Sequence, residues 1–340
     1  MIESLRLQWS RIFTQKGKGP FQECRIPGIV LTKRGTIIIC YEGRMAADDD
    51  WANISLMLCR STDDGSTWQE QEICLPAEFG GAPDDTLNNP TLIVDGDRVH
   101  LIFHWHYERA FHCASEDDGV SWSCPQEITS AFHEANYEWN VCATGPGHGI
   151  RRKNGQLVAP IWLANGQQVD AYRRAHKPSI AGAIASSDGG DTWHMECLLT
   201  GAADANETCI AELSDGRVLF NSRNREPDRR RRLGWYADNG DHVIELQKAE
   251  DLADPGCFGS MIARPDGTLL FANCDTEAGR INLTIKQSTD SGLNWDKVIT
   301  VDEIGGYPDL AADSRSVYIL YERTVNGLID EMVLKKYAIE

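Results

Sequence analysis

The chain has 340 residues, 41% of them hydrophobic, and a formal net charge of −18. An acidic balance of that size excludes DNA or RNA as the main partner, because phosphate binding needs a basic face. No apolar run approaches a membrane span, and the start "MIESLRLQWSRIFTQ" has no apolar h-region, so a cytoplasmic protein is expected. The eleven cysteines are odd in number and scattered without a CxxC, which fits reduced, buried thiols.

In chain order, the first element is "SLRLQWSRIF", which reads as a strand. A recurring pattern then begins: an apolar run, a tight turn with Gly, and a second apolar run. The first turn is "TKRGT" at Gly35, followed by "TIIICY" and the octet within "RSTDDGSTW" (60–68). The second is "VDGDR" at Gly96, then "RVHLIFHW" and "ASEDDGVSW" (114–122). The third is "RKNGQ" at Gly155, then "QLVAPIW" and "ASSDGGDTW" (185–193). The fourth is "LSDGR" at Gly216, then "RVLFNS" and a fainter octet, "YADNGDHV" (236–243). The fifth is "RPDGT" at Gly267, then "TLLFAN" and "QSTDSGLNW" (287–295). A sixth, "AADSRSVYIL" near Ser314, lacks both the Gly and the octet.

Gly turns between β-rich runs are hairpin signals, because such turns need positive φ. A period of about 50–60 residues marks a repeat architecture. The chain is therefore expected to be all-β: a six-bladed β-propeller forming a single domain over 1–340, with the N-terminal strand completing the last blade. The octets read as turn chemistry. Their Asp and Ser bond backbone N–H groups, Gly takes the special φ, and Trp packs between sheets.

Strand parity sorts the remaining residues. In each unit the start of the first strand, the end of the second and the start of the third share one rim, and the octets fall on the other. The shared rim holds Arg25, Arg44, Glu207, Arg223, Arg280, Tyr307, Glu322 and the run Asp48, Asp49, Asp50.

These segments resemble the sialidases (exo-neuraminidases). "CRIPGIVLTKRGTIIICYEGR" is similar to their Arg-Ile-Pro opening, and the octets are similar to their Asp-boxes. "NETCIAELSDGRVLFNSR", "GRINLTIKQSTDSGLNW", "GGYPDL…ILYE" and "GPGHGI" resemble further stretches of the family in order and spacing, over residues 25 to 322. The resemblance implies a six-bladed propeller and a retaining exo-glycosidase that removes a terminal sialic acid through a covalent tyrosyl intermediate. Hydrolysis of a related ulosonic acid (Kdn or Kdo) glycoside, or non-catalytic glycan binding, are the alternatives. Sialylated or other ulosonic-acid-bearing glycans would be the partners, with no cofactor and no metal. A homo-oligomer stays open.

By position in those motifs, Arg25, Arg223 and Arg280 would hold the substrate carboxylate through charge-assisted bonds. Tyr307 would be the nucleophile and Glu207 the base that takes its proton. A neutral phenol suits a site next to an anionic carbon, and sialidases depart from the two-carboxylate scheme in this way. The acid/base would be one of Asp48, Asp49 and Asp50, and counting back from "LCRS" favours Asp50. Arg44 would contact the sugar near its 4-position, and Glu322 would orient Arg25. Two features depart from the family pattern. Tyr-Pro-Asp replaces Tyr-Ser-Asp, so Pro308 stiffens the backbone after Tyr307. "NREPDRRRRLGW" places Arg225 and Arg229–Arg232 in an expected rim loop that could receive a second anionic group on the substrate, or serve as a solvated hairpin or a subunit contact. "HWHYE" sets His104 and His106 on one strand face. That pair has no third metal ligand at suitable spacing and reads as packing.

Overall fold

A computed structural model describes residues 2–17, 19–76, 79, 85–170, 173–237, 242–325 and 328–340. Half of the fainter octet at 236–243, residues 238–241, lies outside the described residues. The β-branched and apolar runs form six antiparallel-based sheets among the described residues. The first comprises Glu23–Leu31, Ile37–Arg44, Ile54–Ser61 and Gln69–Ile73. The fourth comprises Thr208–Glu212, Val218–Ser222, Arg230–Tyr236 and Gln247–Ala253. The fifth comprises Ser260–Ala263, Leu269–Cys274, Ile281–Ser288 and Asp296–Ile304. The sixth has the strands Gly306–Ala312, Ser316–Val325 and Leu328–Ile339, and Leu5–Gln15 pairs antiparallel to the last of these. The N-terminal strand thus completes the last sheet.

Packing closes the ring. Each of six buried clusters draws most of its residues from two neighbouring sheets. One joins sheets four and five, through Leu219, Phe271 and Trp295. Another joins sheets six and one, through Ile29, Tyr41 and Leu320. The others join sheets five and six, one and two, two and three, and three and four. A closed ring of sheets joined face to face is the six-bladed propeller.

The expected turn chemistry is present. Gly35, Gly96, Gly155, Gly216 and Gly267 all have positive φ. In the octet at 186–193, Gly190 N donates to Ser186 Oγ at 2.8 Å, Thr192 N donates to Asp188 Oδ1 at 2.9 Å, and Trp193 is buried. Equivalent bonds hold Asp63, Asp117 and Asp290. All eleven cysteines are thiols, nine of them buried.

The innermost strands of three sheets open alike. Arg25-Ile26-Pro27, Asn88-Asn89-Pro90 and Gly306-Tyr307-Pro308 each break the strand register. The middle residue has φ of 56°, 49° and 48° respectively. Near the axis, buried Asp309 fastens the strands behind this rim. It accepts Ile29 N at 2.8 Å, Ser260 Oγ at 2.7 Å and His148 Nδ1 at 2.7 Å. A Cβ on Gly147 would lie 3.0 Å from Asp309 Oδ1, so only Gly fits there without a shift.

Two expectations are corrected. His104 is buried in Arg98–Trp105, but His106 lies beyond that strand in a turn with φ 53°, so the two do not share a strand face. Arg230–Arg232 lie in a strand, and local acids neutralise the run. Arg230 pairs with Glu277, Arg232 with Glu226 and Asp228, and buried Arg231 with Asp254.

Candidate active site

Tyr307 heads the innermost strand of the sixth sheet. Its positive φ costs about 1–3 kcal/mol of backbone strain, held by the surrounding bonds. Its Oη donates to Glu207 Oε1 at 2.6 Å and accepts from Arg223 Nη1 at 2.8 Å. Arg223 also pairs with Glu207. Glu207 immediately precedes the first strand of the fourth sheet, and Arg223 immediately follows the second. The hairpin therefore sets the Glu207 carboxylate and one guanidinium side by side.

Two further guanidiniums reach Tyr307 from other sheets. Arg25 Cζ lies 5.1 Å and Arg280 Cζ 4.7 Å from the ring centroid. Buried Glu322 holds both. Arg25 Nε and Nη2 donate to its two oxygens at 3.1 Å each, and Arg280 Nη1 donates to Oε2 at 3.2 Å. Glu322 Oε1 also accepts Ile26 N at 2.9 Å, which pins the bulge that aims Arg25. Arg280 is the most open of the three, with its side chain 33% exposed.

The three aspartates separate by environment. Asp48 is exposed, and its N–H donates to Glu23. Asp49 pairs with Arg173 and accepts Trp51 N at 2.9 Å. Asp50 faces the arginines. Its Oδ1 accepts Arg44 Nη1 at 2.8 Å and lies 3.9 Å from Arg25 Nη1. Arg44 is 1% exposed, and its other nitrogens bond Glu42.

Electrostatics follow from burial and charge. Burial pushes the Tyr307 phenol above its ordinary range; Arg223, Arg280 and Arg25 oppose the rise and Glu207 adds to it. The phenol therefore keeps its proton at rest. Burial alone would raise Asp50, but Arg44 and Arg25 outweigh it and hold the carboxyl at about 2. Beside Asp50 stands an aromatic wall of Trp51, Tyr107, Trp162 and His176, with ring centroids 4.8–6.1 Å apart. The Nε1 of Trp162 and Nε2 of His176 are buried there without hydrogen-bond partners among the described residues. No group of three metal-ligating side chains occurs among the described residues. A cavity of about 460 Å³ opens elsewhere, lined by His148, Met261 and Arg264, and contains none of the expected site residues.

The structure thus brings Arg25, Glu207, Arg223, Arg280, Tyr307 and Glu322 into one cluster, with Asp50 and Arg44 at its edge. Sequence reasoning missed Glu42 and the aromatic wall. Glu42 stands two residues before Arg44 in the quoted "YEGR", on the same strand face, so alternation could have found it. Trp51, Tyr107, Trp162 and His176 come from separate segments, and no spacing signal joins them.

The chain matches the BNR repeat-like domain family over residues 35–319. It belongs to the BNR-repeat sialidase family. A sialidase of Bacteroides fragilis is 30% identical over 93% of this chain and 63% of its own length. A sialidase of Micromonospora viridifaciens is 28% identical over 82% of this chain and 46% of its own. The chain therefore spans less than two thirds of these relatives. Among solved structures, a Hadza microbial sialidase superposes with a TM-score of 0.83 at 26% identity, covering 96% of this chain and 68% of that one.

Proposed function

We propose that this sialidase-family protein is a retaining exo-sialidase that works through a tyrosyl-glycosyl intermediate. One observation carries the reading: Tyr307 Oη bonds Glu207 at 2.6 Å while three guanidiniums surround the ring. A glycan-binding module needs the guanidiniums but not the phenol–carboxylate couple.

The substrate is a glycoside whose anomeric carbon bears a carboxylate. Arg25, Arg223 and Arg280 hold that carboxylate by charge-assisted bonds. Tyr307 Oη attacks the anomeric carbon, and its proton passes to Glu207 Oε1. The glycosidic bond breaks, and the leaving oxygen takes a proton from Asp50. Water then attacks the same carbon, giving its proton to Asp50. The Tyr307 oxygen leaves and recovers its proton from Glu207. Two inversions at one carbon give net retention, and the sum is glycoside plus water to alcohol plus free sugar. In the unliganded protein Asp50 is ionised. Bound carboxylate would offset the Arg25 charge, and bound sugar would exclude water, and both effects raise Asp50 toward a working acid.

The test is proton NMR of the first product released from 4-methylumbelliferyl α-sialoside. Initial appearance of the α-anomer of sialic acid supports the reading. Initial β-anomer, or binding without turnover on sialic acid, Kdn and Kdo glycosides, rejects it.

A further inference from the structure

Asp50 stands in the loop between Ile37–Arg44 and Ile54–Ser61, with its side chain 47% exposed. Its closest hydrogen-bond partner among the described residues is Arg44, at 2.8 Å. Arg44 is itself held from behind. Its Nε and Nη2 both donate to Glu42 Oε2, at 2.9 and 2.6 Å, and Glu42 is fully buried. The second Glu42 oxygen accepts the N–H of Asn89 at 2.8 Å, which ties the pair to the opening bulge of the second sheet. A buried carboxylate is costly unless fully bonded, and this one is bonded on both oxygens.

We propose that Glu42 is a positioning residue for glycoside cleavage. It fixes the Arg44 guanidinium, and Arg44 fixes Asp50 where a proton reaches the leaving oxygen. The inference rests on the reading of Asp50 as the acid/base. Glu42 also offsets the Arg44 charge. Without that carboxylate, the Arg44 field falls undiminished on Asp50 and opposes its protonation. Asp50 is also faced by Arg25 from the same sheet, His176 from the loop after the third sheet's second strand, and Tyr107 from the second sheet's turn.

Leaving-group chemistry tests this. A methylumbelliferyl group departs with little protonation, whereas the sugar alcohol of sialyllactose needs a proton from the enzyme. Glu42→Gln is expected to lose kcat on sialyllactose at least about tenfold more than on the aryl sialoside, the range of a weakened general acid. In an Asp50→Ala background the same change is expected to cost nothing further on sialyllactose, because both act through one group. Equal losses on the two substrates, or losses that multiply in the double variant, would overturn the proposal. If Glu42→Gln does not fold, Glu42→Asp keeps the charge but shortens the reach, and the same asymmetry is expected. Asp50→Ala alone separates the two readings. Without leaving-group asymmetry in that variant, both fall. With asymmetry there and none at Glu42, only this inference falls.

Discussion

At the residue scale, the site is a balance of buried charges. Glu322 serves two arginines at once, so a substitution there acts on both. Glu322→Gln leaves Arg25 and Arg280 without their shared counter-charge, and removing one partner of a buried pair typically costs about 3–5 kcal/mol. We expect at least about tenfold weaker binding of the 2,3-dehydro analogue of sialic acid by calorimetry, together with a lower Tm. Unchanged affinity would mean that the arginines do not grip the carboxylate. Asp50 gives a second expectation. Its carboxyl sits at about 2 in the free protein, where Arg44 and Arg25 overcome the effect of burial. Bound substrate offsets part of that field, so the pKa rises in the complex. The limb set by protonated Asp50 lies at higher pH in kcat than in kcat/KM, because kcat reports the complex and kcat/KM the free enzyme. Coincident limbs on sialyllactose would contradict this.

At the element scale, much was legible because the signals are local. Gly35 and Gly216 announce hairpins within a few residues, and each octet carries its own hydrogen bonds. The bonds to Asp290 come from residues 288 to 294. Such a motif stabilises without touching the chemistry, since it lies on the far rim. Asp290→Ala is expected to cost about 1 kcal/mol, lowering Tm by a few degrees with kcat/KM unchanged. The departure at Pro308 also resolves at this scale. Pro27 and Pro90 occupy the same place after a positive-φ residue, so Pro308 belongs to a repeated opening that aims Tyr307 inward. Pairings between distant segments were not legible. Gly147–His148 adds parallel to the second sheet, and Val243–Glu245 adds parallel to the third. No turn or period marks such pairs. His176 escaped notice for the same reason: its role depends on what the fold brings beside it.

At the scale of the whole molecule, burial of ionisable groups makes stability depend on pH. Burial lowers His100 to about 4 and His104 and His112 to about 3, against about 6.5 when unfolded. The unfolded chain then binds more protons, so stability is complete above about pH 6.5 and falls as pH drops toward those values. The octet aspartates add a second stage. Thr67, Ser121 and Thr192, with nearby N–H groups, hold Asp63, Asp117 and Asp188 at about 2, so their contribution is lost as pH falls from about 4 toward 2. His148 acts in the opposite sense. Burial would lower it, Asp309 outweighs burial and raises it, and its contribution is lost as pH rises through that raised value. Calorimetry from pH 8 to 3 is expected to show Tm falling below about 6.5 and more steeply below about 4. His104→Gln should flatten the first stage; a Tm flat down to pH 4 would contradict it.

The central claim is that Tyr307 bonds covalently to the sugar. Treating the protein with 2,3-difluorosialic acid and mapping the product by mass spectrometry tests it most directly. The expected result is one fluorosialosyl group per chain, on the phenol oxygen of Tyr307. Full turnover of the aryl sialoside with no adduct on that residue, or an adduct on Glu207 instead, would contradict it.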